Sequence, residues 1–197
     1  MEIIAHRINT SEQLIKVPNN YGIEIDIRDF GNELILQHDP FKEGERLCEY
    51  LKHYNHGTII LNIKSEGIEF RVMDLLLKFN VVNYFFLDCS FPMIYKLSNN
   101  KNKNIALRYS EVEGIDTILN MRDKVNWVWV DCLSKLTITK CDFDLLKNYG
   151  FKLCLVSPDL YGRPIEQINI YKEYLIDQNI HFDAICCKEY NALSWVE

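Results

Sequence analysis

No cluster of basic residues exists in this chain: 22 Lys and Arg are scattered among 28 Asp and Glu, for a formal net charge of −6. That distribution offers no positive stripe to a polyanion, so nucleic acid is not an expected partner. The densest lysine stretch, residues 96–103, is diluted by asparagines and reads as a solvated loop. No apolar run approaches the roughly 18 residues a membrane span requires, which excludes stable insertion by a helix. Zinc patterns are missing too, since the seven cysteines show neither CxxC nor Cys/His ligand spacing. Their odd number, their place in apolar runs and the lack of a secretory signal fit buried thiols in a reducing cytoplasm. With only 8 Gly and 5 Pro, and no low-complexity tract, repeat or linker, residues 1–197 are expected to form a single domain.

What the chain does contain is alternation. Eight strand-like runs fall at residues 2–6, 22–28, 58–64, 84–88, 104–109, 126–131, 152–157 and 182–188. Helical spacing of apolar residues fills several of the intervals, at 11–17, 66–79, 142–149 and 164–177. Eight units at intervals of about 25 residues predict an α/β fold, a compact (β/α)8 TIM barrel. Gly31-Asn32 separates the second run from the apolar residues 33–37, which signals a short hairpin inserted after strand 2.

Within these strands the polar residues are placed to one side. Ile23, Ile25 and Ile27 share one face of the second strand, and Glu24, Asp26 and Arg28 share the other. The helix-covered outside of a barrel must be apolar, so the charged three point into the ring or its mouth. That is costly unless they hold a metal, a ligand or one another. The pattern returns at Asn62 and Lys64, at Arg108, and at Trp129 and Asp131. Polar groups thus converge at the C-terminal strand ends, where barrel enzymes keep their active sites.

The chemistry follows from the residue types. Glu24 and Asp26, at i and i+2, suit one hard divalent cation, Mg²⁺ or Ca²⁺ with Mn²⁺ as a further candidate, and Asn62 on the neighbouring strand adds an amide oxygen. His6 and His38 titrate near neutral pH and suit a base and an acid on opposite sides of a scissile phosphate. Arg7 and Lys64 suit its non-bridging oxygens, and a metal beside them offsets charge that develops in displacement. Together they describe a phosphoryl-transfer site with a small-molecule phosphodiester as substrate.

The same residues carry a resemblance. Ile4-Ala5-His6-Arg7, Glu24-Ile25-Asp26-Ile27-Arg28 and Leu36-Gln37-His38-Asp39-Pro40, followed by Asn62-Ile63-Lys64 and Ser90-Phe91, resemble the glycerophosphodiester phosphodiesterase family, which shares its barrel with the phosphatidylinositol-specific phospholipase C enzymes. The likeness covers about the first ninety residues. It implies that His6 and His38 are the acid/base pair, Glu24 and Asp26 metal ligands, and Arg7 and Lys64 phosphate contacts, in hydrolysis of a glycerol-linked phosphodiester with a divalent cation. Three departures stand out. Ile8-Asn9-Thr10 follows His-Arg directly where the family has a Gly and a longer loop, Asn62 replaces a third carboxylate, and Cys187-Lys188 stands where Thr-Asp is usual. They imply weaker metal binding and a substrate other than simple glycerophosphodiesters.

Several residues keep two readings. Asn62 is a ligand or a hydrogen-bonded core residue, and Lys64 holds phosphate or pairs with Glu24 or Asp26. Arg108 reaches a substrate anion or closes an internal ion pair with Asp88 or Asp131. Trp129 fills the barrel with Trp127 or offers a stacking surface near the mouth. Lys188 contacts substrate or lies outside the ring. For function, metal-dependent hydrolysis of a glycerol- or sugar-linked phosphodiester, derived from a small molecule, polymer or lipid head group, leads. A barrel binding a phosphorylated ligand without turnover and a phosphorus–oxygen lyase forming a cyclic phosphate are the alternatives.

Overall fold

Short runs of Ile, Leu, Val and Phe buried on both faces become the strands of a parallel sheet. The computed structural model describes residues 1–196. Its strands are β1 (Glu2–Ala5), β2 (Gly22–Phe30), β3 (Glu33–Leu36), β4 (Glu45–Arg46), β5 (Ile59–Ile63), β6 (Tyr84–Leu87), β7 (Ala106–Tyr109), β8 (Trp127–Val130), β9 (Lys152–Val156) and β10 (Ala184–Cys187). Eight of them lie parallel in the order β6-β5-β2-β1-β10-β9-β8-β7. The two edges, β6 and β7, meet at one parallel bridge between Phe86 and Ile105. No continuous ladder closes the ring there, so the expected TIM barrel is present with a seam.

β2 is the longest strand because its second half leaves the ring. Residues Ile27 to Phe30 pair antiparallel with β3, across a two-residue turn in which Gly31 takes φ 60°, a value that a glycine adopts without penalty. β3 then pairs with β4, so the expected hairpin carries an additional two-residue strand. This extension reaches out over the mouth side of β2 and carries the chain to His38.

The helices cover the outside of the ring with apolar stripes. Glu69–Lys78, Lys140–Asn148 and Glu166–Asp177 lie where periodicity predicts them. The first helix is shorter than the expected 11–17 and spans Ser11–Leu14. A capping box between Thr10 and Gln13 fixes its start, and Pro18 disfavours helical continuation at Val17. The reading of residues 96–103 as loop needs correction, because a helix runs over Phe91–Asn99. Ile94 and Leu97, three residues apart, are buried against the barrel and outweigh the polar residues between them.

One glycine is fixed by the closeness of its neighbours. A Cβ on Gly22 would lie 2.6 Å from the Thr58 carbonyl oxygen and would collide with the Ile4 side chain. Gly22→Ala is therefore expected to cost about 1–3 kcal/mol by overpacking β2 between β1 and β5, read as a lower urea midpoint with an unchanged m-value. An unaltered midpoint would show that these strands separate freely. Elsewhere the ring is filled by aromatics, with Trp127 stacked on Phe85 at 4.5 Å between centroids. The seven cysteines are free thiols, four of them buried. No helix among the described residues is long and apolar enough to cross a membrane.

Candidate active site

Because the eight ring strands are parallel, the residues at or just past their C-terminal ends gather at one mouth. His6 and Arg7 follow β1, Lys64 follows β5, Asp88 follows β6, Asp131 follows β8, and Lys188 follows β10. Glu24 and Asp26 project from β2, and the parallel register sets Asp26 beside Asn62 of β5. The apolar alternation of β2 is what turns both carboxylates inward, and both are fully buried.

Each carboxylate is held by named groups. Glu24 Oε2 accepts the Arg7 backbone N–H at 2.7 Å, and Oε1 accepts Asn62 Nδ2 at 2.9 Å. Arg7 takes φ 57°, a left-handed conformation that L side chains seldom adopt and that concentrates at functional positions. That same residue places its Nε 3.3 Å from Asp26 Oδ2. Asn9 clamps Asp26 from both sides: its Nδ2 donates to Oδ2 and its Oδ1 accepts the Asp26 N–H, both at 2.9 Å. Lys64 Nζ lies 3.5 Å from Asp26 Oδ1 and 3.6 Å from Asp88 Oδ2.

The two titrating partners are pushed in opposite directions. Burial, then the charge of Asp26, raises Glu24 from 4.5 to about 7, against the hydrogen bonds from Asn62 and Arg7. Burial, then the Arg7 charge, lowers His6 to about 4. His6 is thus neutral at physiological pH, and its 3.6 Å approach to Glu24 Oε2 is a polar contact without charge pairing. His38 is oriented differently. Its Nδ1 lies 2.9 Å from Asp39 Oδ1, and hydrogen bonds from His38 and Lys42 pull Asp39 down to about 2. Arg28 braces this loop by donating to the carbonyls of Gln37 and His38 at 3.0 and 3.1 Å.

The structure therefore brings His6, Arg7, Glu24, Asp26, Asn62 and Lys64 into one connected network. His38 joins through the backbone, its loop tied to β2 by Gln37 N–H donating to the Asp26 carbonyl. Two residues that kept a double reading take the internal one in this structure. Arg108 donates to Asp88 at 2.7 and 2.9 Å and also to Asp131, so its fork is committed to the internal ion pairs. Burial opposes the guanidinium charge, but Asp88 and Asp131 outweigh it and hold Arg108 protonated more firmly than usual. Trp129 is 4% exposed and fills the barrel, with no face left for stacking. Asn9 and Asp88 were not singled out as site residues by the sequence. The signal for Asn9 was its place in the loop straight after His6-Arg7, where a side-chain amide can donate and accept at once.

Among the described residues, two oxygens at the centre lack hydrogen-bond partners, Asp26 Oδ1 and Asn62 Oδ1, and both are buried. With Glu24 they make an all-oxygen donor set, the kind that Mg²⁺ and Ca²⁺ prefer. Among the described residues no three His, Cys, Asp or Glu side chains converge as a ligand group. A cation would rest on two carboxylates and one amide and would have to compete with Lys64 for Asp26. The residues fit a hard divalent cation with less negative charge than three carboxylates would supply.

This ring has the fold of solved glycerophosphodiester phosphodiesterases. The glycerophosphodiester phosphodiesterase of Agrobacterium tumefaciens str. C58 superposes with a TM-score of 0.70 at 13% identity over 100% of both chains. Two from Parabacteroides distasonis ATCC 8503 give TM-scores of 0.68 and 0.64 at 14% and 13% identity, covering 99% and 98% of this chain and 85% and 94% of theirs. No family model matches the chain, and no curated protein matches it by sequence. At these identities the likeness is one of fold.

Proposed function

We propose that this protein hydrolyses a small glycerol- or sugar-linked phosphodiester, with residues 1–197 acting as one catalytic unit. The observation that carries the reading is the connected mouth network, in which a neutral, largely buried His6 stands beside the Glu24/Asp26 pair and the Arg7 and Lys64 cations. Neutral His6 takes the proton of the attacking water as the water oxygen bonds to phosphorus. His38 protonates the leaving alcohol oxygen as the second P–O bond breaks. The Asp39 hydrogen bond occupies Nδ1 of His38, so Nε2 is the atom that carries this proton. Arg7, and Lys64 once drawn from its carboxylates, hold the non-bridging oxygens. A divalent cation held by Glu24, Asp26 and Asn62 would offset the charge growing on the phosphoryl oxygens.

The test is turnover of small glycerol phosphodiesters with Mg²⁺, Ca²⁺ or Mn²⁺, with solvent oxygen appearing in the phosphomonoester product. The cation dependence has a sign fixed by Glu24. Its folded pKa is raised from 4.5 to about 7, so below that value a bound cation must displace a proton. The rise in melting temperature produced by saturating Mg²⁺ is expected to be larger at pH 8 than at pH 6. Without cation the Glu24 contribution runs the other way, greatest below pH 4.5 and lost as pH rises through about 7. The hydrolase reading fails if no diester is cleaved with any of the three cations, or if Glu24→Ala matches the wild type. Accumulation of a cyclic phosphate would assign the lyase chemistry instead.

A further inference from the structure

Beside His6, on the β1/β10 side of the mouth, lies a cleft of about 250 Å³ lined by His6, Arg7, Gln13, Lys16, Lys188 and Glu189 around an apolar floor of Ile8 and Val17, with Tyr190 at its edge. Three cations face one carboxylate there. The volume is below the roughly 300–1,000 Å³ of a complete small-molecule pocket, so the cleft takes one arm of a substrate whose remainder lies over the reacting centre.

The donors in this cleft are largely uncommitted. Lys188 is anchored through its backbone N–H, which donates to Asp159 Oδ2 at 3.1 Å, and among the described residues its ammonium forms no ion pair. Arg7 meets Asp26 through Nε at 3.3 Å, and among the described residues its terminal nitrogens make no hydrogen bond. Gln13 spends its Oε1 on the N–H groups of Asn9 and Thr10, so its Nε2 is available as a donor. Among the described residues Lys16 pairs with Glu12 alone, 2.8 Å away at the exposed surface, a contact worth little and readily exchanged. A set of cationic and amide donors around an apolar floor, opening onto the reacting histidine, matches a short carbon arm that ends in an anion.

Resting on the hydrolase reading, we infer that the substrate is a phosphodiester with a second anionic group, a phosphomonoester or a carboxylate, on one of its alcohols, and that Lys188 and Lys16 bind that group while Arg7 spans it and the scissile phosphate. This sets the substrate class apart from diesters whose two arms are both uncharged. It also assigns Lys188, at the end of the last ring strand, as the specificity-determining residue of the mouth.

Three glycerol phosphodiesters test this, with second arms 2-hydroxyethyl, 2-phosphooxyethyl and 2-carboxyethyl. Their affinities are measured calorimetrically at low ionic strength, and their turnover is measured in parallel. The wild type is expected to bind at least one charged-arm diester about tenfold tighter than the hydroxyethyl one, and the tighter of the two identifies the anion. Lys188→Ala should remove most of that preference and Lys188→Glu should invert it, while Lys188→Arg should retain it. Equal binding of all three by the wild type, or a preference untouched in Lys188→Glu, overturns the anion subsite. If the preference is present and lost in Lys188→Glu while no diester is cleaved, the subsite stands and the hydrolase reading alone fails.

Discussion

His6→Ala is expected to lower kcat toward any phosphodiester the protein cleaves by about 10²–10⁴-fold, the range for loss of a positioned general base, while changing stability by no more than about 1 kcal/mol. The two expectations separate because of how the imidazole is held. It makes no hydrogen bond among the described residues, it approaches Glu24 Oε2 at 3.6 Å, and its side chain is 21% exposed. Its loss leaves Glu24 with the hydrogen bonds from Arg7 and Asn62 intact. Burial and Arg7 lower its pKa to about 4, so the imidazole stays uncharged well below neutral pH and any acid limb it imposes lies near that value. Wild-type turnover in a folded His6→Ala protein would remove His6 from the chemistry. Partial recovery with added imidazole would confirm that a base is what was lost.

Arg108→Met is expected to cost about 3 kcal/mol, the lower end for breaking a buried charge pair, because the arginine is partly open to solvent. At about 2–4 °C per kcal/mol for a domain of this size, the melting temperature should fall by about 6–12 °C. The cause is what remains behind. Asp131 is 1% exposed and Asp88 is half-buried, and without the guanidinium two like charges face each other with only Lys64 nearby, 3.6 Å from Asp88. Asp131 also keeps the Tyr161 hydroxyl, at 2.5 Å, and the Cys132 N–H, at 2.9 Å, which soften the loss without supplying a positive charge. Adding Asp131→Asn to Arg108→Met should therefore restore part of the stability. A single-variant loss under about 2 °C would show that water replaces the arginine at little cost.

The ring was legible because each of its strands is short, apolar and bounded by polar residues, a pattern that survives without knowledge of partners. Glu24, Asp26, Asn62 and Lys64 were legible for the same reason, as polar residues standing at alternate positions among isoleucines and leucines. Asn9 was not, because its clamp on Asp26 depends on a loop conformation set by Arg7 at φ 57°, which no periodicity encodes. Arg108 was open between two roles because spacing places a side chain on a face without saying who meets it there, and Asp88 and Asp131 come from neighbouring strand ends. The helix over Phe91–Asn99 was hidden by its own composition, since only Ile94 and Leu97 of its nine residues are buried. The two-residue β4 exists only through its pairing with β3.

The seam between β6 and β7 gives the Arg108 fork a mechanical meaning. Where a hydrogen-bonded ladder would normally fasten the hoop, the main chain supplies a single bridge at Phe86 and Ile105, and just above it Arg108 of β7 grips Asp88 at the end of β6. The hoop is thus buckled by a side chain at the rim, and the buckle shares Asp88 with Lys64, which in turn touches Asp26. The side chains that line the mouth and the one that fastens the ring therefore form a single run of charges, Asp26, Lys64, Asp88 and Arg108.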